Sequence, residues 1–440
     1  MAHILFISPY YPPEPGAAPA CVGETAIRLV QRGHQVTVLT TFPNYPTGIV
    51  PPEYRDRLFQ QEVRDGVHVV RVWSYISPDK GFLPRIRWQL SFALLAPLLG
   101  AKAVGQPDVI IVQSPPLFDA IAVRTLARWK QCPFIFMVSD LWPEAAIQLG
   151  VLRNPVLIKL SEWLEWSTYQ RASLVWVVTE WIRDFLIQRG LSPDRIFLLP
   201  NGVDTTKFRP LPQAQARASL GWDDKFTVLY VGTHGVTHGL ITILDAAEQL
   251  QDRHDIRFVL VGDGADKQYL IRQAEAHGLN NVTFLDPVPH ALVPTLLAAG
   301  DLCLAHVRGV PIGKGILPIK MYEAMACGRP IVLAVDGEAR RIAEQEAGAA
   351  LYVEPENATA LAAAILSIYQ QPELAATLGR RGRAYVETRF DYDHLTATLD
   401  ERIAMLLETK GSVERSTRAQ PVLRRAAATH PEILEKKQAS

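Results

Sequence analysis

The sequence predicts an α/β protein with two Rossmann-like, doubly wound parallel sheets that face each other across a cleft. Short β-rich runs alternate with helical patterns along most of the 440 residues, as in parallel sheets covered by helices on both faces. The alternation comes in two series, separated by a stretch rich in proline and polar residues. A hydrophobic content of 48% is ample for two cores.

The first series predicts an N-terminal domain over residues 1–205. Its predicted strands, in chain order, are HILFIS, QVTVLT, VHVVRVW, DVIIVQ, PFIFMVS, LVWVVT and RIFLLP. Helices are predicted between most of these strands, at Val22–Arg32, Pro84–Val104, Leu117–Lys130, Pro155–Arg171 and Glu180–Arg189. The order of strands and helices favours one doubly wound sheet.

The second series predicts a C-terminal domain over residues 225–390, after a linker at 206–224. Its strands are FTVLYVG, IRFVLVG, NVTFLD, DLCLAHV, PIVLAV and AALYV. A helix at 391–408 is expected to cross back to the first domain. Residues 409–440 lose apolar periodicity and carry an excess of basic residues. They predict a flexible basic tail, which is either a solvated end or a segment attracted to anionic lipid.

Composition excludes several classes of protein. Lys plus Arg and Asp plus Glu balance at 45 each, so no net field recruits nucleic acid. The four cysteines have neither metal-ligand nor disulfide spacing, which favours reduced thiols in a cytoplasmic protein. No basic stretch precedes the first strand, so we expect no signal peptide. The most apolar run, Trp88–Gly100, is shorter than the ~20 residues of a membrane-spanning helix.

The stretch from Pro311 to Glu338 contains a charged pair in an apolar setting. Pro318 suits a first helical turn, MYEAMA continues the helix, and Gly328 ends it. Lys320 and Glu323 therefore lie on one helix face. Because burying an unpaired charge is costly, the pair needs solvent or a ligand with hydroxyls and phosphates. The alternative is the wet side of an amphipathic helix.

A second group of polar residues follows the predicted strand PFIFMVS, in the loop DLWPE of residues 140–144. A carboxylate at the carboxyl end of a central strand is well placed to orient or deprotonate a hydroxyl. Asp140 is the preferred candidate of the two acids. The alternative is that Asp140 caps a helix and Trp142 belongs to the core.

Glycine-rich turns follow several predicted strands. They are Gly16, Asn201-Gly202-Val203-Asp204, Gly232-Thr233-His234-Gly235 and Gly262-Asp263-Gly264. At such turns backbone N–H groups and the start of a helix can approach a diphosphate. A simple turn is the alternative for Gly16 and for Gly262-Asp263-Gly264, and Asn201-Gly202-Val203-Asp204 is a turn by composition.

Taken together, these motifs resemble a known family. They are, in chain order, NGVD, YVG, VGDG, LPIKMYEAMACGRPIV, Gly337-Glu338 and AGAALYVEP. Together they resemble the retaining glycosyltransferases of family four, which have the GT-B fold. The resemblance extends to about residue 408. DLWPE and LPIKMYEAMACG are most similar to the branch that builds bacterial surface polysaccharides, including provisionally named fucosamine transferases.

The resemblance implies a nucleotide-diphosphate sugar donor, of the UDP type, and neither a metal ion nor a cofactor. Glu323 is implied to hold the ribose hydroxyls, with Lys320 near the diphosphate and Gly16 against the donor phosphates. Asp140, Lys320 and Glu323 form the predicted catalytic group. The predicted donor-binding residues are Gly16, Gly232, Thr233, His234, Gly235, Gly262, Gly264, Gly315, Ile316, Leu317 and Glu338.

The resemblance further implies transfer, with retention, to a hydroxyl of a lipid-linked or oligosaccharide acceptor on the N-terminal side. Arg85, Arg87, Trp88 and Phe92 suggest a basic, aromatic-edged helix within residues 82–104. Such a helix would make peripheral contact with the inner face of the plasma membrane. A helix packed against the first sheet is the alternative.

The chain departs from the family pattern at three places. A family Glu that lies eight positions before Glu323 is replaced by Gly315. THGVTHG replaces an Arg and a Lys after the YVG strand, leaving His234, His238 and backbone amides as phosphate partners. Asp140 replaces a His of the acceptor loop. Two other functions stay open: a sugar-nucleotide epimerase and a non-catalytic subunit that binds sugar nucleotides.

Overall fold

The computed structural model describes residues 1–45, 47–79, 81–148 and 150–409. The chain divides into a compact unit, residues 1–396, and a second unit that starts at residue 397. The described part of the second unit, residues 397–409, is helical. The predicted basic tail lies outside the described residues, apart from Thr409.

The first half of the compact unit is an eight-stranded sheet covered by helices. Its strand order is β3-β4-β2-β1-β5-β6-β7-β8. The strands and helices, in chain order, are β1 His3–Ile7, α1 Ala17–Gln31, β2 Gln35–Thr41, β3 Phe59–Arg64, β4 Val67–Val72, α2 Phe82–Gly100, β5 Val109–Ser114, α3 Asp119–Lys130, β6 Phe134–Val138, α4 Glu144–Gln148, α5 Pro155–Tyr169, β7 Leu174–Val177, α6 Glu180–Gln188 and β8 Ile196–Leu198. All residues of β5 and β6 are buried, as expected for central parallel strands.

The second half is a six-stranded, wholly parallel sheet with the order β11-β10-β9-β12-β13-β14. Its strands and helices are α7 Gln213–Leu220, β9 Phe226–Val231, α8 Ile241–Gln249, β10 Ile256–Val261, α9 Lys267–Ala276, β11 Val282–Leu285, α10 Val293–Ala299, β12 Leu302–His306, α11 Ile319–Ala326, β13 Ile331–Ala334, α12 Glu338–Arg340, β14 Ala350–Tyr352, α13 Ala358–Gln370 and α14 Pro372–Arg389. Alternate residues of β9 and β10 enter two separate apolar cores, one on each face of the sheet. The predicted fold class of two doubly wound sheets is confirmed.

Strand β3, which lies antiparallel to β4 at the edge of the first sheet, was not predicted from the sequence. Its residues alternate between exposed and half-buried, so the strand has no apolar run to detect. Asp65 and Gly66, which both have positive φ, form the tight turn between the two strands. An Asp-Gly pair between alternating residues is the signal that indicates such a hairpin.

The predicted linker, residues 206–224, is partly helical. It contains α7, which packs against α10 and whose Arg217 forms an ion pair with Asp301. The chain passes between the halves again near Asp391, which pairs with Val203 in a parallel bridge. Asp393 then meets Arg28 of α1 at 2.6 Å, so the chain returns to the first half at this point. The predicted domain limits themselves stay a prediction.

Helix α2 packs on the first sheet through one face and exposes the other. Phe92, a predicted membrane contact, is buried, whereas Arg85 and Arg87 are exposed and Trp88 is half-buried. Within the described residues, no helix has the length and apolar character needed to cross a membrane.

Candidate active site

A cavity of about 370 Å³ lies between the two sheets of the compact unit. It is lined by the loops that follow β1, β6, β9, β10 and β12, and by the start of α11. In open parallel sheets, ligands bind at the carboxyl ends of the strands, beside the strand where the order reverses. The cavity occupies that position in both halves.

The structure brings nine of the predicted site residues to the wall of this cavity. They are Gly16, Asp140, Gly232, Thr233, Gly262, Ile316, Leu317, Lys320 and Glu323. These residues come from both halves of the chain, so the cavity is a joint product of the two sheets. What each of them does there stays a prediction.

Lys320 is held in place by an aromatic ring from the neighbouring strand β9. Its Nζ donates a hydrogen bond to the Tyr230 hydroxyl at 2.5 Å and lies 3.8 Å from the centre of that ring. The hydroxyl in turn donates to the carbonyl oxygen of Thr233 at 2.9 Å. Burial lowers the pKa of Lys320 to about 7, against the opposing charge of Glu323. The ammonium therefore lacks full hydration and is well suited to an anionic ligand.

Glu323 is one turn further along α11 and has a histidine as its partner. Its Oε1 lies 2.9 Å from Nε2 of His290. Burial disfavours protonation of His290, but the hydrogen bond and charge of Glu323 outweigh burial and raise the pKa of His290. The ring of His290 also packs against Phe208, at 5.2 Å between centres. One carboxylate oxygen is thus fixed toward His290, and the group as a whole faces the cavity.

Two glycine turns leave room for Lys320 at this wall. A Cβ at Gly232 would lie 2.6 Å from Nζ of Lys320, and a Cβ at Gly262 would lie 1.9 Å from the carbonyl oxygen of Gly232. Any other residue at either position would push the turns apart or displace the lysine. The sequence places glycine here because two backbone turns and a lysine side chain approach closely.

The first half contributes a wall with less charge. Asp140 lies there after β6, next to Ser139 in the sequence, and Tyr45 and Asn201 of the same half also line the cavity. Burial raises the pKa of Asp140 to about 6. Its carboxylate therefore changes charge within the physiological range, as general bases often do.

The structure does not bring His234, Gly235 or Gly264 to the cavity wall. His234 is fully buried behind the turns of β9 and β10, and the described residues offer neither ring nitrogen a hydrogen-bond partner. Burial, followed by the charges of Lys267 and Lys320, lowers the pKa of His234 to about 4. His238 does line the cavity, and burial lowers its pKa to about 3. Both imidazoles are therefore neutral at pH 7.

Gly315 and Glu338 also lie away from the cavity, where they join the two halves. A Cβ at Gly315 would lie 2.4 Å from the ring of Trp181 in α6. The Glu338 carboxylate accepts hydrogen bonds from the backbone N–H groups of Glu180 and Trp181, at 3.0 and 2.9 Å. The tryptophan ring thus occupies the space beside residue 315, and Glu338 holds the first turn of α6.

Several residues of the site were not predicted as such. His290 and Tyr230 hold Glu323 and Lys320, while Ser139, Tyr45 and Val288 complete the wall. Tyr230 belongs to the quoted YVG motif, but its partner is 90 residues away. His290 follows β11 at the carboxyl end of the sheet, and that position is the only sequence signal that indicates it.

Within the described residues, no group of three or more His, Cys, Asp or Glu side chains is arranged to hold a metal ion. None of the four cysteines forms a disulfide.

Two family models match the chain and divide it near the hinge. The model described as a glycosyl transferase 4-like domain matches residues 16–202. The model described as glycosyl transferases group 1 matches residues 212–385. Each half of the compact unit therefore has its own match.

Similar proteins are found over nearly the whole length. WcaI of Escherichia coli K12, a glycosyl transferase provisionally assigned to colanic acid biosynthesis, is 28% identical over 396 residues, 88% of this chain and 95% of WcaI. A D-inositol 3-phosphate glycosyltransferase of Mycobacterium bovis is 33% identical over 71% of this chain and 63% of its own length.

Solved structures share the fold. A sucrose-phosphate synthase from Thermosynechococcus elongatus superimposes with a TM-score of 0.72 at 21% identity, covering 93% of this chain and 100% of that one. Anabaena Alr3699/HepE, in complex with UDP and glucose, gives 0.69 at 20% identity, covering 92% and 100%. Both likenesses concern the fold alone. Because each half is matched by a glycosyltransferase model and the two-sheet fold is shared with solved glycosyltransferases, the chain belongs to the glycosyltransferases of the GT-B fold.

Proposed function

We propose that the chain transfers a sugar from a nucleotide-diphosphate donor, of the UDP type, to a hydroxyl of a lipid-linked surface polysaccharide intermediate. The observation that carries the proposal is the wall of the second half. There a partly desolvated ammonium, Lys320, and a carboxylate, Glu323, line one cavity together with two glycine turns. A nucleotide sugar has the matching groups, namely a diphosphate for the cation and ribose hydroxyls for the carboxylate.

The comparisons support the donor and the acceptor class by likeness. HepE is described in complexes with UDP and with UDP-glucose. WcaI carries a provisional name in colanic acid biosynthesis, which is the synthesis of a polysaccharide. We extend both properties to this chain, together with retention of configuration and independence of a metal ion.

In the proposed reaction, the bond between the sugar C1 and the diphosphate oxygen breaks, and a bond from C1 to the acceptor oxygen forms. The electron pair leaves with the diphosphate, beside Lys320 and the backbone N–H groups of the turns after β9 and β10. Because configuration is retained, the acceptor hydroxyl approaches C1 on the face that the diphosphate leaves. Asp140, on the wall of the first half, orients this hydroxyl and accepts its proton. Catalysis consists of positioning the two substrates and stabilising the departing charge.

Binding of the donor is tested by thermal unfolding with UDP, GDP and ADP. We expect UDP to raise the melting temperature of the wild-type protein, because a ligand of the folded state stabilises it by mass action. Glu323→Ala should weaken UDP binding by roughly 10–100-fold, since it removes hydrogen bonds to a charged acceptor. Glu344→Ala, in the helical segment after α12, is the matched control. Equal UDP affinity in all three proteins would contradict the site.

Turnover separates the proposal from the other two functions. Release of UDP by sugar transfer, as opposed to hydrolysis of the donor, should require a lipid-linked sugar acceptor. Conversion of the donor sugar without an acceptor would indicate an epimerase. Tight UDP-sugar binding with no product across a panel of acceptors would indicate a non-catalytic binding subunit.

A further inference from the structure

A second cavity lies on the outer surface of the first half, between α2, α3 and α5. This groove has a volume of about 940 Å³ and is lined mainly by apolar side chains. Several of these are also exposed: Leu83 by 64%, Trp129 by 51%, Leu160 by 57% and Trp163 by 59%. A continuous apolar surface of this kind marks an interaction site on a folded protein.

Three arginines accompany the apolar side chains, namely Arg124, Arg128 and Arg171. Arg124 donates to the Ser167 hydroxyl at 3.1 Å, and Arg171 donates to the Ser167 carbonyl oxygen at 3.0 Å. Arg124 also lies 5.9 Å from the centre of the Trp163 ring. Among the described residues, none of the three arginines forms an ion pair with a carboxylate. The groove thus has an excess of positive charge that an anion would balance.

The charges of Arg124 and Arg171 also affect each other. Burial, followed by the charge of Arg171, lowers the pKa of Arg124. Two like charges that converge on the single residue Ser167 are unfavourable unless a third group carries the opposite charge. Arginine clusters of this kind are the usual binding sites for phosphate.

The groove and the catalytic cavity share one loop. Trp142 lines the groove and packs against Phe118 at 6.2 Å between ring centres, whereas Asp140, two residues earlier, lines the catalytic cavity. A ligand with its tail in the groove and its head at this loop would present a hydroxyl to Asp140. The DLWPE motif therefore separates the apolar groove from the proposed acceptor site.

We propose that the groove binds the isoprenoid chain of a phosphate-linked acceptor lipid, with the phosphates at Arg124, Arg128 and Arg171. The proposal rests on the proposed function, since it concerns the acceptor of that reaction. A single chain with one anionic end matches an apolar groove that contains arginines and shares the loop of residues 140–144 with Asp140. The occupant is an individual lipid molecule, and a bilayer surface is the alternative that the test separates from it.

The probe is geranylgeranyl diphosphate, titrated into full-length protein that is saturated with UDP. Tryptophan fluorescence reports binding, because Trp129 and Trp163 line the groove. We expect saturable binding that is at least tenfold weaker for Arg128→Gln/Arg171→Gln and for Leu160→Asp. These three side chains are exposed, so the variants should fold. Arg272→Gln on α9 and Val63→Asp on β3 are exposed controls that should bind normally.

Each part of the probe should bind more weakly than the whole, so geranylgeraniol and inorganic diphosphate are titrated separately. Equal affinity of the groove variants and wild type for geranylgeranyl diphosphate would overturn the proposal. So would binding to phosphatidylglycerol vesicles without binding to the monomeric probe, which would indicate a bilayer-facing surface. The thermal shift with UDP reports the donor site independently. A normal UDP shift without probe binding therefore rejects the groove while the proposed function stands.

Discussion

The two walls of the catalytic cavity are built differently. On the wall of the second half, Lys320 is bonded to Tyr230 and Glu323 to His290 before any ligand arrives. On the wall of the first half, Asp140 receives no hydrogen bond from the described residues, and burial raises its pKa to about 6. The first arrangement fixes charged groups for a ligand with phosphates and hydroxyls. The second leaves a carboxylate whose charge depends on pH, and an acceptor hydroxyl would supply its missing donor.

The largest effect is expected from the fixed cation. Lys320→Ala should lower kcat/KM for the nucleotide sugar by roughly 10²–10³-fold, as for loss of a group that stabilises developing negative charge. Lys314→Ala is the control, because Lys314 is exposed and precedes the same helix. Steady-state kinetics with the folded variants provide the measurement. Unchanged kinetics in both Lys320→Ala and Glu323→Ala would remove the assignment of this wall.

Asp140 should have the next largest effect, and one that depends on pH. The proposed reaction needs Asp140 ionised, so activity should rise as pH increases through about 6. It needs Lys320 protonated, so activity should fall as pH increases through about 7. We therefore expect a narrow bell-shaped profile of kcat/KM, which reports the free enzyme.

Two variants separate the limbs of this profile. Asp140→Asn should lower kcat/KM by roughly 10²-fold, within the range for loss of a general base, and should abolish the acid limb. Lys320→Arg should move the basic limb upward, because arginine stays protonated. Glu144→Gln, in the same loop as Asp140, should retain both limbs. An acid limb that survives in Asp140→Asn would exclude Asp140 as the base.

The contact between the halves should give a moderate effect on stability. Gly315→Ala places a Cβ against the Trp181 ring and should destabilise the fold by ~1–3 kcal/mol, as overpacking does. Trp181→Ala in the same chain should relieve the clash, so the two changes should not be additive. Denaturant unfolding of both single variants and the double variant measures this coupling. Additive effects would show that Trp181 does not explain the glycine.

The smallest effect is expected from the partner of Glu323. His290→Ala should weaken UDP binding by roughly 2–10-fold, because the one hydrogen bond between His290 and the Glu323 carboxylate is lost. His290→Gln should recover part of the affinity, since an amide can also donate. His277→Ala is the control, because His277 is a half-exposed histidine paired with Glu248 in the same half. A His290→Ala protein with wild-type affinity would show that Glu323 needs no positioning.

The sequence predicted the parts of this architecture that depend on local pattern. Both sheets follow from buried apolar runs, and Lys320 and Glu323 follow from helical spacing after a strand. Strand β3 was not predicted, because an exposed edge strand has no apolar run. His290, Tyr230 and Trp181 could not be predicted, since they bond to residues 33, 90 and 157 positions away, respectively.

Gly315 is another residue whose surroundings the sequence does not reveal. The family resemblance implies a carboxylate at this position, and its absence leaves the donor sugar open. In the structure a tryptophan of the opposite half occupies the space that a side chain would need. A glutamate cannot be restored there unless Trp181 moves, so in the proposed reaction other groups of the cavity would have to recognise the donor sugar.

The burial of Lys320 beside Tyr230 predicts that binding of the proposed donor is coupled to proton uptake. With a pKa of about 7, the amine is mostly neutral in the free protein at about pH 8. A diphosphate beside it favours the ammonium form and raises its pKa, so the complex takes a proton from the solvent. Titration calorimetry in buffers of different ionisation enthalpy should show uptake that approaches one proton per UDP. Lys320→Arg, already charged, should bind UDP without this uptake.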